Sequence, residues 1–499
     1  MCPTVRRGAH RRGPQRQQVL SVSSKAVDAV VVGAGPNGLT AATVLARSGL
    51  AVTVLEASAT PGGGCRSGEI TLPGFLHDRC AAVHPLAALS PAFAELGLAD
   101  QGLRWLHSPV ALAHPLDDGR AAVLWADLGR TAAALGIDAD RYRRLMAPVV
   151  HAFSAITETT MRPLTAIPRH PHALATFGVR ALPPATWVQR HWFRTEEAAA
   201  LWSGSAAHAI LPLSAPFTSA FAVMLQGAAH VAGWPVAAGG SQQIVEALLR
   251  VATNAGVTLE CNRPVRHLGE LPAARMVLFD LSLSQVRQLA DERLNDRARR
   301  WMQRFRHGPG SFKIDYALDA PLPWTNAACR QATTVHVGGT AAEVVAAEAE
   351  VAAGRHPARP LVVVAQQDLA DPGRVPPGRA ALWAYCHVPA GSTVDMTAAI
   401  EAQIERFAPG FRDVVLARHT TNTVQLEAYN EAYVGGDITG GSYRGLALLA
   451  RPHLSIRPYR LPWRGAFLCS ASAPPGAGVH GMAGYHAAQD ALRWLHGAG

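Results

Sequence analysis

The first regular pattern in the chain is an apolar run that ends in a cluster of glycines. Residues 28–32 form a β-branched run, which leads directly into Gly-Ala-Gly-Pro-Asn-Gly at 33–38. Apolar residues then recur at helical spacing over 39–49, and a second apolar run at 51–55 ends in Glu56. This order predicts a strand, a tight turn, a helix and a second strand, which together form a βαβ unit.

The pattern changes at about residue 108 to alanine-rich helical segments that are broken by prolines. Within this region, residues 198–245 contain no Asp, Glu, Lys or Arg. About 20 apolar residues are enough to span a membrane, but Pro212, Pro216 and Gly233 interrupt this stretch. We therefore expect a buried wall of an apolar substrate cavity or ordinary core, with contact with a membrane surface as the alternative.

Strand-like runs return after a helix that is predicted to begin near Ser241. Short apolar runs at 257–259 and 276–279 are of the kind that extend a parallel sheet. Between about 286 and 440, apolar and polar positions alternate in several runs. Such alternation predicts a half-buried antiparallel sheet.

The composition favours a folded chain without a nucleic-acid partner. Hydrophobic residues make up 49% and charged residues 16% of the chain, whereas disordered chains are rich in charge and poor in apolar residues. The net charge of +10 comes from arginines that are interspersed with acids, so we expect no nucleic-acid binding. The seven cysteines include no C-x-x-C pair, and no spacing of cysteines or histidines predicts a metal site.

The glycines at the start of the chain carry the first chemical prediction. In Gly33-x-Gly35-x-x-Gly38, the first glycine allows a tight turn, the second lets the backbone approach a pyrophosphate, and the third allows close helix packing. The pyrophosphate then lies at the positive end of the helix. Glu56 has the spacing of an acceptor for ribose hydroxyls. The unit predicts dinucleotide binding and does not by itself separate FAD from NAD.

A second glycine-rich turn follows Glu56, with the sequence Pro-Gly-Gly-Gly-Cys-Arg at 61–66. It resembles the double-glycine motif of amine oxidases and phytoene desaturases, in which this segment runs along the FAD phosphates. Many of those relatives place an arginine directly after the double glycine, whereas this chain has Gly64 there and Arg66 two residues later. The resemblance implies FAD and leaves open whether Arg66 reaches the pyrophosphate.

The C-terminal stretch supplies the most specific motif. A last predicted strand at 466–469 is followed by Pro-Pro-Gly-Ala-Gly-Val-His-Gly at 474–481 and by a closing helix at about 484–495. This stretch looks like the C-terminal flavin motif of the phytoene desaturase superfamily, in which a Pro-Gly-x-Gly-Val turn directs backbone N–H groups toward the flavin. Further similarity to the phytoene dehydrogenase-related branch extends the resemblance over residues 28–495.

The motifs together imply a set of residues that bind FAD. They come from the two glycine-rich turns, the acid between them and its neighbour, a position between the third and fourth predicted strands, and the C-terminal motif: Gly33, Gly35, Pro36, Asn37, Gly38, Glu56, Ala57, Gly62, Gly63, Gly64, Cys65, Arg66, Val265, Ser470, Gly478, Val479, His480 and Gly481.

We expect an α/β fold in which a Rossmann-like FAD-binding domain with a parallel sheet is interleaved with a mixed α+β substrate-binding domain. The FAD-binding domain is predicted to comprise residues 28–107, 236–285 and 441–499, and the substrate domain residues 108–235 and 286–440. Residues 1–27 carry six cationic residues and no acid, and they lack the apolar segment of a secretory signal. We expect a disordered basic tail there.

Candidates for acid–base chemistry are few, as expected when a flavin accepts the hydride. Lys313 resembles in its context the strand lysine that holds a water near the flavin N5 in amine oxidases, and an ion pair with Asp315 on the same face is the structural alternative. His480 is a candidate proton donor or acceptor near the flavin, or a structural hydrogen-bonding residue. His84 is expected to line the substrate cavity.

The resemblance implies an FAD-dependent oxidoreductase of the desaturase or dehydrogenase type. It would transfer hydride from a largely apolar small molecule to FAD, and O2, a quinone or another acceptor would then take the electrons. An FAD-dependent isomerase or saturase of an apolar substrate is one alternative, and a non-catalytic FAD-containing binding protein is another. We expect a cytoplasmic protein, with peripheral membrane association as an alternative.

Overall fold

Two large β-sheets organise the part of the chain that the structure describes. The computed structural model describes residues 27–448 and 450–497. One sheet has five strands and the other has seven, and two short ribbons of two strands each accompany them. The predicted basic tail at 1–27 lies outside the described residues, except for Val27, which begins the first strand.

The strands alternate along the chain with helical segments. In chain order they are β1 (Val27–Val32), β2 (Val52–Leu55), β3 (Ser67–Glu69), β4 (Leu76–Asp78), β5 (Trp105–Leu106), β6 (Val110–Pro115), β7 (Ala121–Leu124), β8 (Val236–Ala237), β9 (Thr258–Glu260), β10 (Ala274–Phe279), β11 (Gly310–Leu318), β12 (Ala332–Val337), β13 (Val362–Ala365), β14 (Ala380–Val388), β15 (Val415–Thr421) and β16 (Ala466–Leu468).

The α-helices pack against both large sheets and form a helical region between β7 and β8. In chain order they are α1 (Pro36–Arg47), α2 (Pro85–Ala88), α3 (Pro91–Leu96), α4 (Leu128–Ala134), α5 (Ala139–His151), α6 (Phe153–Thr160), α7 (Pro171–Ala181), α8 (Ala185–His191), α9 (Glu196–Ala206), α10 (Thr218–Ala232), α11 (Gln242–Asn254), α12 (Leu283–Leu289), α13 (Asp296–Arg304), α14 (Ala341–Ala352), α15 (Thr397–Phe407), α16 (Thr423–Tyr429) and α17 (Met482–Leu495).

The five-stranded sheet is entirely parallel and has the order β16-β10-β1-β2-β9. Val31 pairs with Leu278 on one side and with Val54 on the other, and all three side chains are fully buried. Continuous apolar runs of this kind are typical of parallel strands that are covered on both faces. The prediction of an α/β fold with a parallel Rossmann-like sheet is confirmed.

The seven-stranded sheet has the order β15-β11-β14-β13-β12-β6-β7. Its neighbours are antiparallel except for β12 and β6, which are parallel. The prediction of antiparallel pairing for 286–440 is therefore confirmed, and the parallel pair comes from β6, outside that range. The prediction of a half-buried sheet was wrong for β11 and β14, which are buried at every position. The prediction of a helical pattern from residue 108 was wrong for 110–124, where β6 and β7 form a hairpin. β6 is rich in alanine and completely buried, so its apolar run lacks the alternation that marks a half-buried strand.

The charge-free stretch at 198–245 belongs to the interior. It contributes most of α9 and all of α10, and the side chains of Leu201, Trp202 and Val223 are almost completely buried. Within the described residues, none of the helices combines the length and the apolar character that crossing a membrane requires.

Candidate functional site

A cavity of about 650 Å³ is lined by residues of both large sheets and of the helical region. The dinucleotide turn, the second glycine-rich turn and the C-terminal motif contribute one part of its wall. Strands β12, β13 and β14 contribute another part through Thr334, Val363, Ala365, Trp383 and Tyr385. The motifs that lie far apart in the sequence therefore meet around one space.

The turn between β1 and α1 contributes glycines and the first residues of α1 to the cavity wall. Gly33, Gly35, Pro36 and Asn37 line it, whereas Gly38 does not. Gly38 is packed so closely that a Cβ there would collide with the carbonyl oxygen of Gly33. The turn thus opens the N-terminal end of α1 toward the cavity, which is the arrangement that binds a diphosphate.

Glu56 is held in a fixed position at the end of β2. Its Oε2 accepts a hydrogen bond from the N–H of Ala34 at 2.8 Å, and its Oε1 accepts one from the N–H of Ser58 at 2.9 Å. The side chain lines the cavity, as does that of Ala57, although Glu56 is only 7% exposed. A carboxylate anchored in this way can accept hydrogen bonds from two ribose hydroxyls.

The second glycine-rich turn lies against the first. The cavity is lined by Gly63, Gly64, Cys65 and Arg66, but not by Gly62. The N–H of Gly62 donates to the carbonyl of Ala34 at 2.9 Å. The turn remains close to the dinucleotide turn because of this hydrogen bond.

The neighbouring Tyr433 explains why a glycine stands at position 64. A Cβ on Gly64 would collide with the hydroxyl of Tyr433, so an arginine at this position would require Tyr433 to move. The guanidinium of Arg66 lies over the ring of Tyr429, 4.8 Å from its centroid, and Arg66 Nε donates to the carbonyl of Gly63 at 3.3 Å. The guanidinium is thus stacked on an aromatic ring beside the cavity.

The C-terminal motif divides into residues at the cavity and residues behind it. Ser470, Gly478 and Val479 line the cavity, and the N–H groups of Gly478 and Val479 donate to no backbone carbonyl among the described residues. His480 and Gly481 are not part of the lining. The C-terminal motif therefore reaches the cavity at these three residues, and two of their backbone N–H groups are available to a ligand.

The side chain of His480 makes a hydrogen bond to the backbone at the start of α17. Its Nδ1 accepts a hydrogen bond from the N–H of Met482 at 3.1 Å, and its carbonyl accepts one from the hydroxyl of Ser90 at 2.6 Å. Burial lowers the pKa of His480 to about 4, so the imidazole is neutral at physiological pH. This position favours the structural alternative, and a catalytic role for His480 stays a prediction.

The residues around the cavity fit a dinucleotide cofactor such as FAD. The open end of α1 and the backbone N–H groups of Gly478 and Val479 are suited to anionic and carbonyl oxygens, and Glu56 is suited to ribose hydroxyls. Val265 also lines this part of the wall. The predicted cofactor residues are therefore brought together, with Gly38, Gly62, His480 and Gly481 placed behind the lining.

Lys313 and Asp315 form a buried ion pair on β11. They lie opposite Tyr385 and Trp383 of β14, and Lys313 Nζ is 5.7 Å from the centroid of the Trp383 ring. Burial raises the pKa of Asp315 to about 6 although Lys313 opposes that effect. Lys313 is not among the residues that line the cavity. The pairing matches the structural alternative, and contact with a flavin-bound water stays a prediction.

His84 lines the cavity, next to Val83 and Pro85. The hydroxyl of Ser241 donates to the carbonyl of Ala81, and its oxygen lies 2.7 Å from His84 Nε2. Nε2 must therefore carry the hydrogen, which leaves Nδ1 able to accept a proton. Burial lowers the pKa of His84 to about 4, so this imidazole is also neutral at physiological pH.

Other residues at the cavity were missed by the sequence analysis. His208 lines it, and His208 Nε2 lies 3.0 Å from Nε2 of the buried His336. Burial lowers the pKa of His208 to about 3. Asp280, directly after β10, lines it as well. No spacing in the sequence connects His208 with His336, because the sheet brings them together across 128 residues.

Comparisons with known proteins agree with this geometry. Residues 31–96 match the family model described as an NAD(P)-binding Rossmann-like domain. Pyridine nucleotide-disulfide oxidoreductase domain-containing protein 2 of Rattus norvegicus is 26% identical, and the match covers 94% of each chain. A limonene dehydrogenase subunit of Castellaniella defragrans is 33% identical over 24% of this chain and 22% of its own length.

Among solved structures, cyclohexylamine oxidase of Brevibacterium oxydans superposes with a TM-score of 0.60 at 17% identity, covering 95% of this chain and 100% of its own. That likeness shows a shared fold. The chain thus carries an NAD(P)-binding Rossmann-like domain and is a distant homologue, along almost its whole length, of pyridine nucleotide-disulfide oxidoreductase domain-containing protein 2.

Proposed function

We propose that the protein is an FAD-dependent oxidoreductase of the phytoene desaturase type, which removes hydride from a largely apolar substrate. One observation carries the proposal: a single cavity is lined both by the dinucleotide motifs and by apolar side chains of the second sheet and the helical region. The apolar part of the wall comprises Val83, Ile210, Leu225, Trp234, Val363, Ala365 and Trp383. Such a wall binds apolar surface and excludes water.

The names of similar proteins support this choice of chemistry. The limonene dehydrogenase is named for a hydrocarbon substrate, and the superposed cyclohexylamine oxidase is named for a cyclic amine. Both names describe an oxidation. The apolar wall of the cavity favours the hydrocarbon-like substrate for this chain.

Bound FAD would supply a two-electron acceptor for the hydride. The glycine-rich turns and Glu56 would hold it, and the apolar wall would place the substrate in the same cavity. Formation of a double bond also releases a proton, which would pass to solvent. His84 and His208 line the cavity as imidazoles that burial keeps neutral, so neither would retain that proton. O2, a quinone or another acceptor would take the electrons from the reduced cofactor.

Anaerobic mixing of the FAD-loaded protein with apolar compounds tests this function. We expect a panel of cyclic and acyclic hydrocarbons and their alcohols, including limonene, to contain compounds that bleach the visible flavin absorbance. Leu225→Trp should fill part of the apolar wall and abolish bleaching while FAD remains bound, whereas Leu225→Met conserves volume and should keep it.

The alternatives give different results in the same apparatus. An unchanged oxidised spectrum, combined with reoxidation of the prereduced protein by unsaturated compounds, would indicate a saturase. A spectrum that no compound changes in either oxidation state would indicate a non-catalytic FAD-binding protein.

A further inference from the structure

A carboxyl group lies against the dinucleotide turn, beside the end of α1 at which a diphosphate is expected to bind. Asp280 follows β10 directly, and its Oδ2 accepts a hydrogen bond from the N–H of Gly38 at 2.9 Å. A Cβ on Gly35 would lie 2.6 Å from the same oxygen, so Gly35 also leaves room for this carboxyl group. Asp280 lines the cavity together with Gly33 and Gly35. The carboxyl group therefore faces the N-terminal end of α1.

The groups around Asp280 do not neutralise its charge. Within residues 27–448 and 450–497, no Lys, Arg or His lies within ion-pair distance of it. Glu56, just after β2, contributes a second acidic charge nearby, and Cys469, just after β16, is a buried thiol whose pKa is raised well above its usual range. From α1, Asp280 meets backbone N–H groups, which favour its ionised form. Gln285 of α12, another residue of the cavity wall, is uncharged.

Burial raises the pKa of Asp280 to about 7, and the charge of Glu56 contributes in the same direction. A diphosphate bound at the end of α1 would add further negative charge beside the carboxylate. Like charges at short distance favour protonation of one partner. The protonated acid has an O–H that can donate a hydrogen bond, whereas the ionised carboxylate only accepts.

We propose that Asp280 binds the diphosphate of FAD as a neutral carboxylic acid that donates a hydrogen bond to a phosphate oxygen, so that FAD binding takes up one proton. The proton comes from solvent and is released again when FAD dissociates, and no covalent bond changes. This inference rests on the proposed function, since it requires FAD as the ligand.

The direction of the pH dependence follows from linkage. Below about pH 7 Asp280 is already protonated in the free protein, and FAD affinity is expected to be constant. Above about pH 7 binding must draw a proton from water, so the Kd should rise about tenfold for each further pH unit. Asp280→Asn keeps the size of the side chain and its ability to donate a hydrogen bond without the titratable charge. The Kd of Asp280→Asn for FAD should therefore not change with pH.

The experiment is a fluorescence titration of the apoprotein with FAD from about pH 6 to about pH 9 at constant ionic strength. Asp100→Asn is the matched control, because it makes the same substitution at an exposed position that is not part of the cavity lining. It should keep the slope of the natural protein. A flat Kd in the natural protein, or an unchanged slope in Asp280→Asn, would overturn the proposal.

A second measurement needs no variant. Calorimetric titration with FAD at about pH 8, in two buffers of different ionisation enthalpy, reports the number of protons taken up. We expect close to one, and a value near zero contradicts the proposal. Failure of the natural protein to bind FAD at any pH would instead refute the proposed function, so the two failures are distinguishable.

Discussion

Replacing Lys313 by methionine separates its two alternative roles. The substitution keeps the apolar stem and removes the charge, which leaves Asp315 buried without its partner. Burial already raises the pKa of Asp315 to about 6 in the presence of Lys313. Compared with an ordinary value of 3.8, this corresponds to a cost of about 3 kcal/mol for the ionised side chain in the folded protein.

The sign of the pH dependence can be worked out from this shift. A carboxyl group whose pKa is raised by folding destabilises the folded protein above its unfolded pKa, so its cost appears as the pH rises from about 4 to about 6. Without Lys313 the pKa should rise further, and the cost should continue to grow above pH 6. We expect Lys313→Met to lose about 3–5 kcal/mol of unfolding free energy at about pH 8, and less at about pH 6.

Urea unfolding at both pH values measures this loss of stability. Stopped-flow reduction and reoxidation of the flavin test the alternative, in which the charge of Lys313 acts at the flavin ring. Adding Asp315→Asn should recover much of the lost stability, because it removes the unpaired charge. The structural role predicts changed stability with normal flavin kinetics. Unchanged stability together with slowed flavin reduction or reoxidation would refute this reasoning and place the charge of Lys313 at the reacting ring.

Three further substitutions test the cavity wall and the frame around it. Gly35→Val should yield colourless protein, because a side chain would occupy the space beside Asp280 Oδ2. Gly178→Ala adds a methyl group in open space and should stay yellow, and the flavin absorbance of the purified variants distinguishes the two outcomes. Glu56→Ala should weaken FAD binding roughly ten- to a hundred-fold or more, while the exposed Glu69→Ala should not; an unchanged Kd would remove Glu56 from the site. Arg374→Met should lower the free energy of unfolding in urea by about 3–5 kcal/mol, because it leaves the buried Asp78, which lies 2.6 Å from the guanidinium, without its ion-pair partner. A loss below about 1 kcal/mol would contradict this account.

The sequence predicted the dinucleotide turn because its determinants are local. Three glycines, one helix and Glu56 lie within 24 residues, and the spacing of these residues is tied to backbone geometry. By contrast, β6 was missed although its antiparallel neighbour β7 is close in sequence, because β6 lies between β7 and β12, and β12 is more than 200 residues away. Burial on both faces also removes the alternation by which a strand is recognised.

The parts of the site that escaped prediction depend on tertiary contacts. Asp280 has no motif of its own, and its role becomes visible only when β10 places it against Gly38. The same holds for His208, which meets His336 through the packing of the helical region on the second sheet. Gly64 looked like a departure from a pattern until Tyr433 was found to occupy the space beside it.

The order of strands in the five-stranded sheet has a consequence for synthesis on the ribosome. β1, β2, β9 and β10 emerge early, but β16, which covers the outer side of β10, is translated almost 190 residues later. Until then the nascent chain exposes an apolar strand edge that can pair with another molecule. Premature termination before Ala466 should therefore leave an aggregation-prone product rather than a smaller folded protein.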